Sequence, residues 1–399
     1  MPAKEELMAG IETLYSSRIL TNQGQNVQAL EARVAKLLGV KHCALFCNAT
    51  IAIMVLLRAL DLEGEVVVPS FTFAATVQAL LWERLKPKFV DIDQKTLLLD
   101  PKLVERAITK DTSAIFAVNL FGSCCEHKKL RAIADEHDIP LIYDSAQAFG
   151  THYKGKPVGS LGNAEVFSFH ATKLFHTGEG GAIVTNDTEL YERVCRIRNF
   201  GFDGYLNCVD VGLNGKMSEL HAVVGLKLLD ELPKHIDKRR WVFQAYRERL
   251  REIPGLEFPH DNPDIEDNYS YFYVFVDPAK FGLTSLELNL ALLYDRIVTR
   301  CYFYPPVHRT SLCQSMQKGS VPDLPVTDWA SQRVLCLPVY ADMQVDELAK
   351  ICEAIERCRA HAAQIKPKIV HKLPKDWKAL THHVPDPYEE LILAKESAK

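Results

Sequence analysis

The stretch FSFHATKLFHTGEGGAIVTND, residues 167–187, sets a single lysine between two short apolar runs. The run at 166–169 reads as a buried strand, and so does the run at 182–184. Between them lie Lys173 and a glycine cluster at Gly178, Gly180 and Gly181. A lysine in a loop is ordinarily a solvated surface charge. This one is flanked by strands too apolar for the surface, near Ser168 and His170. A partly desolvated lysine has a lowered pKa and serves as an amine nucleophile near neutral pH. On this stretch alone both readings stand.

From residue 65 onward the chain repeats the alternation. Continuous apolar runs at 66–68, 88–92, 113–118 and 140–143 are separated by helix-like segments at 73–82, 101–108 and 126–137. Strands that are apolar on both faces belong to a largely parallel sheet covered by helices. The expected fold class is therefore α/β. Two helical patterns follow at 218–231 and 238–252, with a break expected at Pro233. Beyond a proline-rich stretch at 253–264, a strand at 271–276, a helix at 285–293, a strand at 297–303 and a helix at 345–360 indicate a smaller α+β domain. The expected division is 1–235, 236–365, and a Lys- and Pro-rich extension at 366–399.

Bulk properties narrow the function classes. The 399 residues suffice for two to three domains, with 47% apolar and 25% charged residues, as in soluble globular proteins. A net charge of −4 without long runs of one sign leaves no footprint for nucleic acid or an anionic membrane. The start, MPAKEELMAG, lacks the apolar core of an export signal, and no apolar run nears the ~20 residues of a membrane span. A cytoplasmic protein is expected. The eleven cysteines are scattered without a C-x-x-C pair, so reduced thiols are expected rather than a metal centre.

Two further features bear on Lys173. The segment at 47–60, CNATIAIMVLLRAL, is apolar nearly all round and reads as a buried helix capped by Asn48 or Thr50. A helix start offers unpaired N–H groups and partial positive charge, which suit a phosphate, although an ordinary cap needs no ligand. Asp144 follows the buried strand 140–143, at the carboxyl end where open α/β sheets bind ligands. It equally suits the cap of the next turn, with Gln147 on the same face. A Schiff-base lysine, an aspartate for a pyridinium nitrogen and a phosphate cradle are together what pyridoxal phosphate requires.

With these residues in view the chain resembles the DegT/DnrJ/StrS-type sugar aminotransferases, pyridoxal-phosphate enzymes of fold type I. The resemblance runs through SRILTNQGQNVQALE, VVVPSFTFAATVQALLWERLKPKFVDID, the segment from YDSAQAFG to AIVTND, NGKMSELHAVVGL, VTRCYFYPPVH and LCLPVYADM. It implies a large domain with a mostly parallel seven-stranded sheet and a smaller α+β domain. It implies that Lys173 carries the cofactor as a Schiff base and then shuttles the proton between cofactor and substrate carbons. Asp144 would hold the ring nitrogen protonated, Gln147 would face the phenolic oxygen, and Phe73 would stack on the ring. Ser168, Thr50 and the amides near Ala49 would bind the phosphate. Asn214 would reach that phosphate from a neighbouring subunit, since family members are dimers with shared active sites. Asn22, Tyr304 and His308 are the implied substrate contacts.

The chain departs from the usual pattern at Asn48-Ala49, where the family often has Ser-Gly, at Asn119 in place of histidine, and at Ser145. No catalytic group is lost. LTNQG and FHATKLFHTGEGG look most like the branch that aminates carbon 4 of dTDP-4-keto-6-deoxy sugars, such as those of O-antigen synthesis. The implied reaction is a ping-pong transfer from L-glutamate to a nucleotide-linked keto sugar. A 3-keto sugar or cyclitol ketone is the alternative substrate. Dehydratase members replace the lysine with histidine, which the presence of Lys173 argues against. A non-catalytic cofactor-binding regulator would not need the full Lys173–Asp144–Gln147–Ser168 set.

Overall fold

The computed structural model describes residues 2–316 and 321–369. Two helices, α1 (Lys4–Ser17) and α2 (Gln25–Leu38), lead into strand β1 (His42–Phe46). These three elements lie before residue 65, where the strand–helix alternation was first read. In α2 the apolar residues Val27, Leu30, Val34 and Leu38 recur at helical spacing and are all buried. Helix α3 (Ala49–Ala59) follows, then β2 (Glu65–Pro69), α4 (Ala74–Trp82), β3 (Lys86–Val90), α5 (Pro101–Ala107), β4 (Thr112–Val118), α6 (His127–Glu136) and β5 (Leu141–Asp144). The unit closes with β6 (Ala164–Ser168), β7 (Gly181–Thr185) and α7 (Thr188–Arg198).

The seven strands form one sheet in the order β1-β7-β6-β5-β4-β2-β3. Only β7 runs antiparallel to its neighbours, β1 and β6; the pairs β6–β5, β5–β4, β4–β2 and β2–β3 are parallel. The expected α/β architecture with a mostly parallel seven-stranded sheet is the one found. Alternate residues of each strand feed opposite cores. Val67, Ile115, Ala117, Leu141 and Tyr143 pack with α2, α6 and the helix after β7 and α7. Val66, Val68, Ala114, Phe116 and Ile142 pack with α3, α4 and α7. Both faces being apolar is why these strands read as continuous rather than alternating runs.

The expected break at Pro233 does not occur. A single 32-residue helix, α8 (Glu219–Leu250), runs through it. The lost backbone hydrogen bond is outweighed by anchoring on both sides. Leu228, Leu229 and Leu232 are buried in the sheet's core, and Val242, Tyr246 and Leu250 in a separate core downstream. The expected boundary at 235 therefore falls inside a continuous helix. The downstream core belongs to β8 (Phe272–Val276) and β9 (Val334–Leu337), which pair antiparallel, and to the helices Ser285–Tyr294 and Val345–Ala360. The strand expected at 297–303 is not one. A single bridge between Arg300 and Cys336 is its only ladder contact among the described residues. Of the expected extension at 366–399, residues 366–369 end a helix, Ala362–Ile369, and the rest lie outside the described residues.

Glu219, fully buried, ties α8 to α2. Its carboxylate accepts the amides of Asn26 (2.8 Å) and Val27 (3.1 Å) and the Asn26 side chain (3.0 Å), so it caps the α2 N-terminus. A Cβ on Gly24 would lie 2.6 Å from the Glu219 carboxyl carbon, so glycine alone fits there. Glu219→Ala strands three buried donors at once. It should lower unfolding free energy by about 3 kcal/mol, read from the denaturant midpoint.

Candidate active site

The carboxyl edge of the sheet gathers the candidate residues because parallel strands deliver their ends to one side. Asp144 ends β5, Ser168 ends β6, Asn48 follows β1, and the segment from Ser70 to Phe73 follows β2. Strand β7 enters at the same edge. Gly181 stands opposite both Phe46 and Ser168.

At the start of α3, Asn48 is the cap and its Oδ1 accepts the Ile51 amide at 2.9 Å. As residues of the first turn, Ala49 and Thr50 have no intrahelical partner for their amides, and both are partly exposed. A Cβ on Gly181 would sit 2.6 Å from the Ala49 nitrogen. Glycine there lets β7 pass directly against the helix start. Beyond the Asn48 cap, the Ala49 and Thr50 amides are the groups of this helix start that could bind an anion.

Asp144 is buried and held from two sides. Its Oδ2 accepts the Thr76 hydroxyl at 2.7 Å and its Oδ1 the Ala146 amide at 3.0 Å; Thr76 is itself 2.8 Å from the Thr72 hydroxyl. Burial pushes the Asp144 carboxyl above its ordinary pKa, opposed by these donors and by nearby Lys173. Beside it, Asn119 and Ser145, two of the departures from the family pattern, bond to each other. The Asn119 amide donates to Ser145 Oγ (2.9 Å), which donates to buried Glu165 (2.7 Å).

Lys173 is partly buried, and its amine donates to the Tyr271 hydroxyl at 3.0 Å. Burial lowers its pKa, opposed by Tyr302 and by Asp144. Acylation of Lys173 in the cofactor-free protein should accordingly show a midpoint below the ~10.4 of an exposed lysine. Asp144→Asn removes an opposing negative charge and should lower the midpoint further. Mass-spectrometric labelling across pH reads both shifts, and a midpoint at or above that of surface lysines contradicts the buried setting.

The remaining expected residues divide. Gln147 is buried; its Oε1 accepts the Phe121 amide (2.9 Å), which leaves the amide nitrogen as its donor end. Phe73 is 59% exposed, unusual for a phenylalanine beside so large a core. Ser168 is buried at the end of β6. Asn214 is exposed, next to Gly215, whose carbonyl accepts the Cys47 amide at 2.8 Å. Asn22 is exposed in the bend between α1 and α2, and Tyr304 is 36% exposed.

His308 is not available to a substrate. It is fully buried, with Nδ1 2.6 Å from Ser70 Oγ and Nε2 3.4 Å from an Asp328 carboxylate oxygen. It joins the β2 end to a helix, Pro325–Ser331, and burial lowers its pKa. Two partners were not anticipated. Thr76 holds Asp144 and lies one turn beyond Phe73; Tyr271 holds Lys173 and reads in sequence only as part of an apolar strand.

These groups fit pyridoxal phosphate. The helix start could hold a phosphate, the buried carboxylate a pyridinium nitrogen, and the desolvated amine a carbonyl. The comparisons with known proteins agree. The chain matches the DegT/DnrJ/EryC1/StrS aminotransferase family over residues 2–356. It is 35% identical to a dTDP-4-amino-4,6-dideoxy-D-glucose transaminase of Escherichia coli, over 89% of this chain and 96% of that protein. It is 36% identical to the transaminase of the same name from Shigella dysenteriae, over 90% and 97%. Among solved structures it resembles DesI, crystallised in the presence of its TDP-sugar product, at 38% identity and TM-score 0.87, over 92% and 93%.

Proposed function

The chain belongs to the DegT/DnrJ/EryC1/StrS aminotransferase family, and on that premise we propose that it moves the amino group of L-glutamate onto carbon 4 of a dTDP-4-keto-6-deoxyhexose. It is a pyridoxal-phosphate-dependent sugar aminotransferase. The products of the proposed reaction are 2-oxoglutarate and the nucleotide-linked 4-amino sugar. The observation that carries the reading is the convergence, at one sheet edge, of a desolvated amine, a buried carboxylate and a helix start.

When bound, pyridoxal phosphate supplies a carbonyl that takes up the amino group and a ring that accepts the electron pair left at the reacting carbon. Lys173 is the amine that would hold the cofactor at that carbonyl and, when free, would serve as the base that moves a proton. Desolvation favours its neutral form, which a base requires. Asp144 keeps a negative charge opposite the ring nitrogen, held in place by Thr76 and Ala146. The Ala49 and Thr50 amides and the Ser168 hydroxyl would bind the phosphate, the Gln147 amide nitrogen would serve the phenolic oxygen, and Phe73 would cover the ring. Asn22 and Tyr304 contact the sugar nucleotide.

The working form on this reading is a homodimer. An exposed apolar segment leads into Asn214: Tyr205 is 94%, Val211 74% and Leu206 64% exposed. A second copy would cover it and bring Asn214 to the partner's phosphate. Eleven free cysteines suit the reducing cytoplasm. A panel of nucleotide-linked 3-keto and 4-keto sugars assayed with glutamate tests the substrate. Turnover of a dTDP-4-keto-6-deoxyhexose supports the reading, and turnover of 3-keto sugars alone rejects it.

A further inference from the structure

We propose that Tyr271 is the positioning residue for Lys173, docking the freed amine through its hydroxyl so that the nitrogen is held ready for proton transfer. The inference rests on the reading of Lys173 as the proton-transfer residue.

Lys173 and Tyr271 are 98 residues apart in sequence, and Tyr271 packs against the same core that buries Leu174 and Phe175. Tyr271 stands directly before β8, while Lys173 sits in the turn between β6 and β7. The amine lies 3.0 Å from the phenol oxygen and 5.5 Å from the ring centroid, off the hydroxyl end of the ring, so the contact is to the hydroxyl. The ring is itself wedged. Phe121 lies 5.7 Å and Tyr302 6.0 Å away, centroid to centroid, and the Ser270 carbonyl accepts from the guanidinium of buried Arg239 at 3.3 Å. The turn before Tyr271 is pinned as well. The Asn268 side chain donates to the Gln147 and Phe149 carbonyls at 2.9 and 3.0 Å, fixing it to the loop that carries Asp144 and Gln147.

A lysine amine on a four-carbon stem has three rotatable donors and no preferred direction. Docking one N–H of the ammonium on a rigid phenol oxygen removes that freedom and leaves its other two N–H groups to deliver a proton. Proton transfer is sensitive to such placement, because the base must stay within hydrogen-bond reach of the carbon it serves. A hydroxyl acceptor also stabilises the ammonium more than the amine. Tyr271 thereby limits how far desolvation depresses the Lys173 pKa, so the amine can both take up and give back a proton.

Tyr271→Phe keeps the ring and removes only the hydroxyl. In the cofactor-free protein, the Lys173 labelling midpoint should fall by about one pH unit. In the loaded enzyme, kcat should fall about tenfold with the glutamate KM within twofold of wild type. An unchanged labelling midpoint together with unchanged kcat overturns the proposal. Should Tyr271→Phe fail to fold, Tyr271→Gln and Tyr271→Met replace it. The acceptor-bearing glutamine should keep a midpoint about one unit above that of methionine, and equal midpoints overturn the proposal. Wild-type enzyme that shows no reaction with glutamate would instead count against the Lys173 reading itself.

Discussion

Lys173→Ala is expected to abolish turnover, by more than about 10⁴-fold, and with it the absorbance of the lysine-bound cofactor. Two losses combine. On the proposed reading the amine that would hold the cofactor is gone, and so is the base that would move the proton, which alone is worth roughly 10²–10⁴-fold. The fold should survive, because among the described residues the amine's hydrogen bond is to Tyr271 alone and Lys173 is only partly buried. Steady-state assay and an absorbance spectrum of the purified variant check it. Turnover within tenfold of wild type would exclude Lys173 from the chemistry.

Asp144→Asn is expected to lower kcat by about 10²–10³-fold with the protein still folded. The substitution keeps the shape and removes the negative charge that, on the proposed reading, would face the ring nitrogen. It also disturbs the hydrogen bonds around it. An asparagine carbonyl at Oδ1 can still accept the Ala146 amide, but a side-chain NH₂ at the Oδ2 position cannot accept the Thr76 hydroxyl. Thr76 would have to turn and accept instead, which its partner Thr72 allows by reorienting its own hydroxyl. Circular dichroism and kcat measured together separate loss of chemistry from loss of fold. A variant with wild-type kcat would show that the carboxylate charge does not act on the cofactor.

What the sequence disclosed and what it hid follow from the range of the interactions involved. Strand β5 was legible because three apolar residues buried on both faces end abruptly in Asp144, a local contrast. The capped start of α3 at Asn48 was legible for the same reason, since a capping residue before an all-round apolar helix is written in consecutive positions. The continuity of α8 was not. Pro233 obeys a local rule that two distant cores override, one at Leu228 to Leu232 and one at Val242 to Leu250. His308 was misjudged because its burial is decided by Ser70, 238 residues away. Tyr271 was passed over as core because nothing near it in sequence shows that its hydroxyl meets Lys173. The pairing of Asn119 with Ser145 likewise appears only in three dimensions, where two departures from the family pattern satisfy one another.

The most direct test of the proposed reaction follows the cofactor spectrum of the purified enzyme through both half-reactions. Adding L-glutamate alone should bleach the band of the lysine-bound cofactor and release one 2-oxoglutarate per site. Adding dTDP-4-keto-6-deoxyglucose afterwards should restore the band and yield one equivalent of the 4-amino sugar. A spectrum that glutamate leaves unchanged, or a bleached enzyme that no nucleotide-linked keto sugar restores, would contradict the assignment.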